Sequence, residues 1–290
     1  MSEALVADSR AVLAKHARSF RTASLLLPSE ARDDAAVLYA FCRLVDDIAD
    51  EGDDKVVARR DLLALRAELR REVEPRPLVA LLHQLAARRG MELTAADELI
   101  EGALTDLDPV IIEDEAALMR YCYLVAGTVG VLMCGVLGVT DAEARSHAVA
   151  LGEGMQITNI CRDVAADAQI GRVYLPASLL RANGQGSEAL LRGEVDRAAV
   201  SRVVRTLLGR ADERYAHAFR GMSYIPARTR AAILVAAHLY RGIGLRLLTV
   251  HGADPMHGRT ILPTGARALA VLRGLTDHLR LLLTGALHLR

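Results

Sequence analysis

The chain has 290 residues, enough for one large or two ordinary domains. Hydrophobic residues make up 52% of it, above the usual range, so a sizeable core is available. The 36 basic and 36 acidic residues cancel, which leaves no global field to recruit nucleic acid.

The opening residues, MSEALVADSRAVLAKHAR, carry charges throughout and no apolar run, so no signal peptide is expected. Four cysteines, Cys42, Cys122, Cys134 and Cys161, sit singly in apolar segments without C-x-x-C spacing. They read as small buried residues of a protein in a reducing, cytoplasmic compartment.

No strand-like alternation of any length occurs, and Ala, Leu, Arg and Glu favour helix throughout. Eight prolines fall mostly between periodic runs and mark helix limits. Helices are expected over about 3–19 and 29–50, the second opened by Pro28-Ser29. A charged amphipathic helix follows over 54–73, then shorter ones over 77–89 and 94–104, the last with a Thr94/Asp97 capping box. Residues 121–140 carry no charge and have the length of a membrane span. The reading preferred here is a central buried helix, made thin by Gly127, Gly130, Gly135 and Gly138. Those glycines leave room for a ligand or let helices pack closely. Thr140 and Glu143 are expected to cap the next helix, which runs to about Ala168. Residues 169–193 read as irregular, with Arg172 and Tyr174 on a lid-like segment. Helices are expected again over 195–221, 226–250 and 266–289. The last is Leu-rich with Arg273, Arg280 and Arg290, and suits either a core or a membrane surface. No domain-sized linker appears, so one all-α domain over 1–290 is expected.

Two stretches carry chemistry. YAFCRLVDDIADE (39–51) holds Asp46 and Asp50 four apart, with Asp47 between and Arg43 one turn earlier. GEGMQITNICRDVAADAQIGRVYLP (152–176) holds Asp163 and Asp167. On a helix, Gln156, Asn159, Asp163 and Asp167 form one polar stripe about three turns long. Acids spaced i, i+4 repel by a few tenths of a kcal/mol even when exposed, so two such pairs call for a reason. Hard cations such as Mg2+ take carboxylate oxygens and share them with phosphates. Two facing helices with metal ions and a diphosphate between them is one reading; two acidic surface turns is the other. Of ten aromatic residues, five fall in these stretches and a third at 121–130, Tyr39, Phe41, Tyr121, Tyr123 and Tyr174, and Phe20 and Tyr240 fall in the short SF and YR segments. Aromatic faces attract cations, so this placement suits a site that handles a carbocation, while packing is the alternative.

The SF near residue 20, YAFCRLVDDIADE, YCYLVAGTVG at 121–130, QITNICRDVAADAQIGRVYLP and YR at 240–241 occur in the order found in the squalene/phytoene synthases. Over about 16–245 the chain resembles that family. The resemblance implies a class I isoprenoid synthase-type helical bundle with a central apolar cavity. It implies head-to-head joining of two identical prenyl diphosphates through a cyclopropylcarbinyl diphosphate. Metal ligands carried over are Asp46, Asp50, Asn159, Asp163 and Asp167, with Asp47 adjacent; the metal is Mg2+, with Mn2+ as substitute. Substrate contacts carried over are His16, Ser19, Phe20, Tyr39, Arg43, Gln156, Arg162, Arg172, Tyr174 and Tyr240, with Tyr121 beside the chemistry. Arg259 is taken for the late basic residue of the family pattern. No G-x-G-x-x-G follows a strand, which favours a cofactor-independent 15-cis-phytoene synthase acting on two geranylgeranyl diphosphates. The alternative is a squalene or presqualene diphosphate synthase acting on farnesyl diphosphate, with NADPH in the squalene case. A non-catalytic helical assembly factor is the rival from another class; such a protein has no need of four acids.

Overall fold

The computed structural model describes residues 3–16, 18–50 and 54–287, the side chains of 16, 18, 19 and 285–287 excepted. Helices α1 (Glu3–His16), α2 (Arg18–Ser24), α3 (Ser29–Asp50), α4 (Lys55–Leu69), α5 (Pro77–Arg89) and α6 (Thr94–Thr105) form the N-terminal half. Helix α7 (Glu115–Cys122) runs through a π-helical turn, Tyr123–Gly127, into α8 (Thr128–Leu137). Then come α9 (Ala144–Gln169), α10 (Ala177–Ala182), α11 (Ser187–Leu191) and α12 (Arg197–Arg220). A 3-10 turn at Gly221–Tyr224 leads to α13 (Ala227–Thr249), a second at Pro255–His257 follows it, and α14 (Thr264–Leu287) ends the described chain.

The expected helix over 3–19 is two helices, and the irregular stretch 169–193 contains α10 and α11. The all-helical expectation holds, with one addition. Strands β1 (Val110–Ile111) and β2 (Arg172–Val173) pair in parallel, Val110 with Arg172 and Ile111 with Val173. The Ile112 amide continues the ladder to the Val173 carbonyl at 3.2 Å, and the Ala177 amide donates to the Ile112 carbonyl at 2.8 Å. Val173, Tyr174, Leu175 and Ala177 are buried. Backbone pairing therefore ties down the segment that the sequence suggested as a lid.

Two capping expectations fail, each to a different competitor. Asp97 does not reach back to its own helix start. It takes bidentate bonds from Arg66 (2.9 and 2.6 Å) and Arg70 (2.7 and 2.9 Å). Those guanidiniums, Arg66 first, hold its carboxyl down at about 2. At α9 it is Asp141, not Thr140, that accepts the Glu143 amide, at 2.9 Å. Side-chain caps form instead at Asp54, Asp114 and Asp196, each accepting backbone amides of the following helix.

The buried side chains divide into two main masses. One is built from α3, α4, α5, α6 and α8 around Phe41, Leu62, Leu82 and Ile100. The other is built from α7, α9 and α12 around Ile157, Cys161, Leu207 and Tyr215. Between them, α8 lies against α9 at glycine contacts. A Cβ on Gly130 would stand 2.2 Å from the Ala148 carbonyl oxygen, and one on Gly152 would stand 2.2 Å from that of Ala126. These glycines serve close packing. Gly130→Ala is expected to lose about 3 kcal/mol of stability by forcing α8 from α9, read as a lower denaturant midpoint. An unchanged midpoint would contradict the contact.

Two helical stretches, Glu115–Leu137 and Ala227–Thr249, are long and apolar enough to cross a membrane by length and composition. Both line the interior here, with 44% and 50% of their most apolar windows buried in the protein.

Candidate active site

Both Asp-x-x-x-Asp motifs occupy the C-terminal turns of their helices, α3 and α9, and neither last turn holds a basic residue. The helix dipole makes a C-terminus unfavourable for anions. The placement thus adds a second cost to the i, i+4 repulsion, and a bound cation would relieve both.

Arginines hold most of these acids. Arg43 pairs with Asp47. Arg162 donates its Nε to Asp163 Oδ1 at 2.8 Å, and Arg259, from the loop before α14, donates to the same oxygen at 3.2 Å. Arg172, set in place by β2, donates to Asp50 Oδ1 at 2.8 Å and to the Asp106 carbonyl at 3.2 Å. It therefore spans from α3 to the loop after α6.

Asp106 is the residue that sequence reasoning missed. The Tyr121 hydroxyl donates to its Oδ2 and the Tyr174 hydroxyl to its Oδ1, each at 2.9 Å. The two rings stack with centroids 4.8 Å apart. Burial pushes the Asp106 carboxyl up, and the nearby Asp50 charge adds to this; the tyrosine bonds and Arg172 pull the other way. The Asp106 charge also bears on both Asp46 and Asp167, so it links the two motifs electrostatically. A lone acid in a loop has no periodic partner, and its sequence context, LTDLDP, carries no signal of this role.

Solvent reaches Asp46 from the mouth of the cavity, yet protein crowds its other sides. That burial, then the Asp50 charge, pushes its carboxyl up to about 7. Burial and then Asp163 do the same to Asp167, also to about 7. Asn159 donates to Gln156 Oε1 at 3.4 Å, while its own buried Oδ1 has no hydrogen-bond partner. Among the described residues, no three His, Cys, Asp or Glu side chains stand together as a metal-holding group. The chemistry of the donors still fits a hard cation: oxygen ligands in excess of arginines, two carboxyls resisting ionisation, and one orphaned buried amide oxygen.

Below the acids lies a cavity of about 340 Å³. Asp46, Gln156 and Asn159 line its polar end, beside Phe20, Tyr39 and Tyr240. The Phe20 ring lies 5.2 Å from Tyr240 and 6.4 Å from Tyr39, centroid to centroid. The wall beyond is apolar, from Leu38, Val129, Met133, Leu151 and Ile233. Cys42 and Cys134 also face it; all four cysteines are free thiols, and burial pushes each of them up.

The predicted site residues thus separate. Asp46, Gln156, Asn159, Phe20, Tyr39 and Tyr240 share the cavity. Asp47, Asp50, Asp163, Asp167, Arg43, Arg162 and Arg172 form the charged groups of the two motifs and their arginines. Tyr121 and Tyr174 stand behind that layer on Asp106 rather than on the cavity. Of the other aromatics, Phe41 is core and Tyr123 donates to Glu98 at 2.6 Å. The side chains of His16 and Ser19 lie outside the described residues.

Known proteins resemble the chain over most of its length. The sequence profile described as squalene/phytoene synthase matches residues 13–265. A phytoene synthase of Thermus thermophilus is 41% identical over 262 residues, covering 89% of this chain and 88% of that protein. A 15-cis-phytoene synthase of Pantoea ananas is 33% identical, covering 81% and 80%. Among solved structures, a ligand-bound dehydrosqualene synthase superposes with a TM-score of 0.82 at 25% identity, covering 93% of this chain and 95% of that one. A squalene synthase of Alicyclobacillus acidocaldarius, at 24% identity, shares the fold with a TM-score of 0.76 over 86% and 95%. With Asp46, Gln156 and Asn159 of the two motif helices lining an apolar cavity in an all-α isoprenoid synthase fold, the chain belongs to the squalene/phytoene synthase family, a family of prenyltransferases.

Proposed function

We propose that the protein is a 15-cis-phytoene synthase that joins two geranylgeranyl diphosphates head to head. Two ionisations release two diphosphates, and a proton is lost after each, leaving a C40 hydrocarbon without any reductant. The observation that carries this is the apolar cavity between α3, α8, α9 and α13, with Asp46, Gln156 and Asn159 at its polar end, together with the names of the relatives.

Asp46, Asp50, Asn159, Asp163 and Asp167 would hold Mg2+, or Mn2+ in its place, with Asp47 beside them. Bound there, the metal supplies Lewis-acid neutralisation of the departing diphosphate. The arginines of the site, Arg43, Arg162, Arg172 and Arg259, bind the phosphate oxygens. Aromatic faces of Phe20, Tyr39 and Tyr240 sit where positive charge develops in the chain. The apolar wall keeps water from the cation.

Incubation with geranylgeranyl or farnesyl diphosphate and Mg2+, with and without NADPH, followed by lipid analysis, tests this. A C40 triene core formed without NADPH is expected. A C30 hydrocarbon that requires NADPH would replace this reading with the squalene type.

Metal binding should also show in stability. A folded carboxyl near 7 against an ordinary value near 3.8 holds its proton more firmly in the folded chain. Stability from Asp46 and Asp167 is then greatest below about pH 4 and falls as pH rises to about 7. Mg2+ offsets that loss, so it should raise the melting temperature more at pH 8 than at pH 5. Equal shifts at both pH values would count against these two acids as ligands.

We also propose a peripheral membrane contact for an otherwise cytoplasmic protein. Helix α14 turns Leu269, Leu272, Leu279 and Leu283 outward with Arg273 and Arg280. Apolar and basic residues on one exposed helix face suit an anionic lipid surface, where a C40 product also dissolves. Cosedimentation with anionic vesicles, weakened in Leu272→Asp/Leu279→Asp, is expected; no vesicle binding by the native chain ends the idea.

A further inference from the structure

The cavity has a second end, and its wall is built around a glycine that the backbone does not require. Gly221 has φ −83° and ψ −4°, an ordinary conformation for any residue. Its missing side chain is instead a matter of space. A Cβ there would fall 2.2 Å from His147 Cβ and 2.3 Å from His147 Cγ. Both residues line the cavity, with Ala144 and Met222 beside them.

The His147 ring is fixed from several sides. Its Nδ1 donates to the His217 carbonyl at 2.8 Å. It stacks on the His217 ring at 4.4 Å and on the Tyr224 ring at 5.8 Å. Tyr224 is held in turn by donating to Glu143 at 2.7 Å. An imidazole so bound leaves its place only by breaking the carbonyl bond, and the adjoining open space is the cavity.

Position along α9 converts this wall into a length. Asn159 marks the polar end, and His147 lies twelve residues earlier on the same helix, about 18 Å away. An isoprene unit in an extended prenyl chain spans about 5 Å, from ordinary C–C bond lengths. A C15 tail whose reacting carbon sits level with Asn159 ends about 3 Å, or two residues of helix, short of His147. A C20 tail reaches it with its fourth unit.

We propose that His147, seated over Gly221, is the wall that sets the longest prenyl tail accepted. This rests on the prenyl diphosphate reading above and adds a specificity determinant to it. His147→Ala deepens the cavity and a larger ring at 147 shortens it, because the close contact of Gly221 with His147 Cβ and Cγ leaves no room behind the ring.

The test is the ratio of kcat/KM for geranylgeranyl over farnesyl diphosphate, with melting temperatures to establish folding. His147→Trp should lower the ratio at least about tenfold, the order that an ill-fitting methylene commands in an apolar pocket. His147→Ala should gain turnover of a C25 diphosphate, and this arm stands if His147→Trp fails to fold. Ratios within about twofold of the native value in every folded variant, with no C25 turnover by His147→Ala, overturn the length assignment while leaving the family reading intact. A native chain that takes only farnesyl diphosphate overturns it as well. A native chain that turns over neither diphosphate with Mg2+ overturns the reading beneath it, and the inference with it.

Discussion

Asp46→Asn should lower turnover by about a thousandfold while leaving the helical circular dichroism unchanged. The carboxylate is one of the charges proposed to hold the metal at the head of the cavity, where Asp46 is a lining residue. One opposite-charge contact at about 4 Å is worth roughly 4 kcal/mol at an effective dielectric near 20. Lost only from the transition state, that amounts to about three decades of rate. Asparagine keeps the size of the side chain and removes like-charge repulsion with Asp50, so the fold should gain stability rather than lose it. Asp163→Asn should be equally inactive, although its loss also frees Arg162 and Arg259 from their shared partner. Turnover within about tenfold of native in either folded variant would end the metal-ligand assignment.

Asp106→Asn should cost about a hundredfold in turnover, for a different reason. The carboxylate accepts from two tyrosines at once. An amide offers one acceptor oxygen and turns an NH2 toward the second hydroxyl. The second hydroxyl can accept from that NH2, but its own O–H then loses its acceptor in a buried place, at about 1–3 kcal/mol. The loop that presents the Asp106 carbonyl to Arg172 shifts with it, and Arg172 is the group that reaches Asp50. Tyr121→Phe and Tyr174→Phe each remove one bond and should do less harm than Asp106→Asn. A readout that a merely structural role would not move is Mg2+ affinity, followed by the thermal shift. It should weaken in Asp106→Asn; native affinity with native turnover would place Asp106 in the scaffold alone.

The parts of the site legible in sequence were those with a period. Asp46/Asp50 and Gln156/Asn159/Asp163/Asp167 announce themselves because a helix repeats every three or four residues, and α3 and α9 are long and regular. The helix limits at Ser29, Asp50, Pro77 and Thr94 follow from prolines and polar starts. What was not legible depends on contacts between segments far apart in the chain. Asp106 earns its place from Tyr121, Tyr174 and Arg172, and β1 from a partner more than sixty residues away. The cap expected at Thr94 failed because Arg66 and Arg70 come from another helix to claim Asp97. The aromatic count did not show how the rings divide between the cavity and the layer behind the acids. Phe20, Tyr39 and Tyr240 face the cavity, whereas Tyr121 and Tyr174 stand behind the acids.

The glycine contacts of α8 with α9 bear on how such a pocket can evolve. At Gly130 and Gly152 the barrier between the two cores is main chain against main chain, with no side chain left to trim. Truncating residues cannot widen the bore there, and enlarging them splits the helices apart. On that side the calibre is therefore frozen by the backbone, and descendants of this protein that take up new lipids must vary the side-chain walls or the ends of the cavity instead.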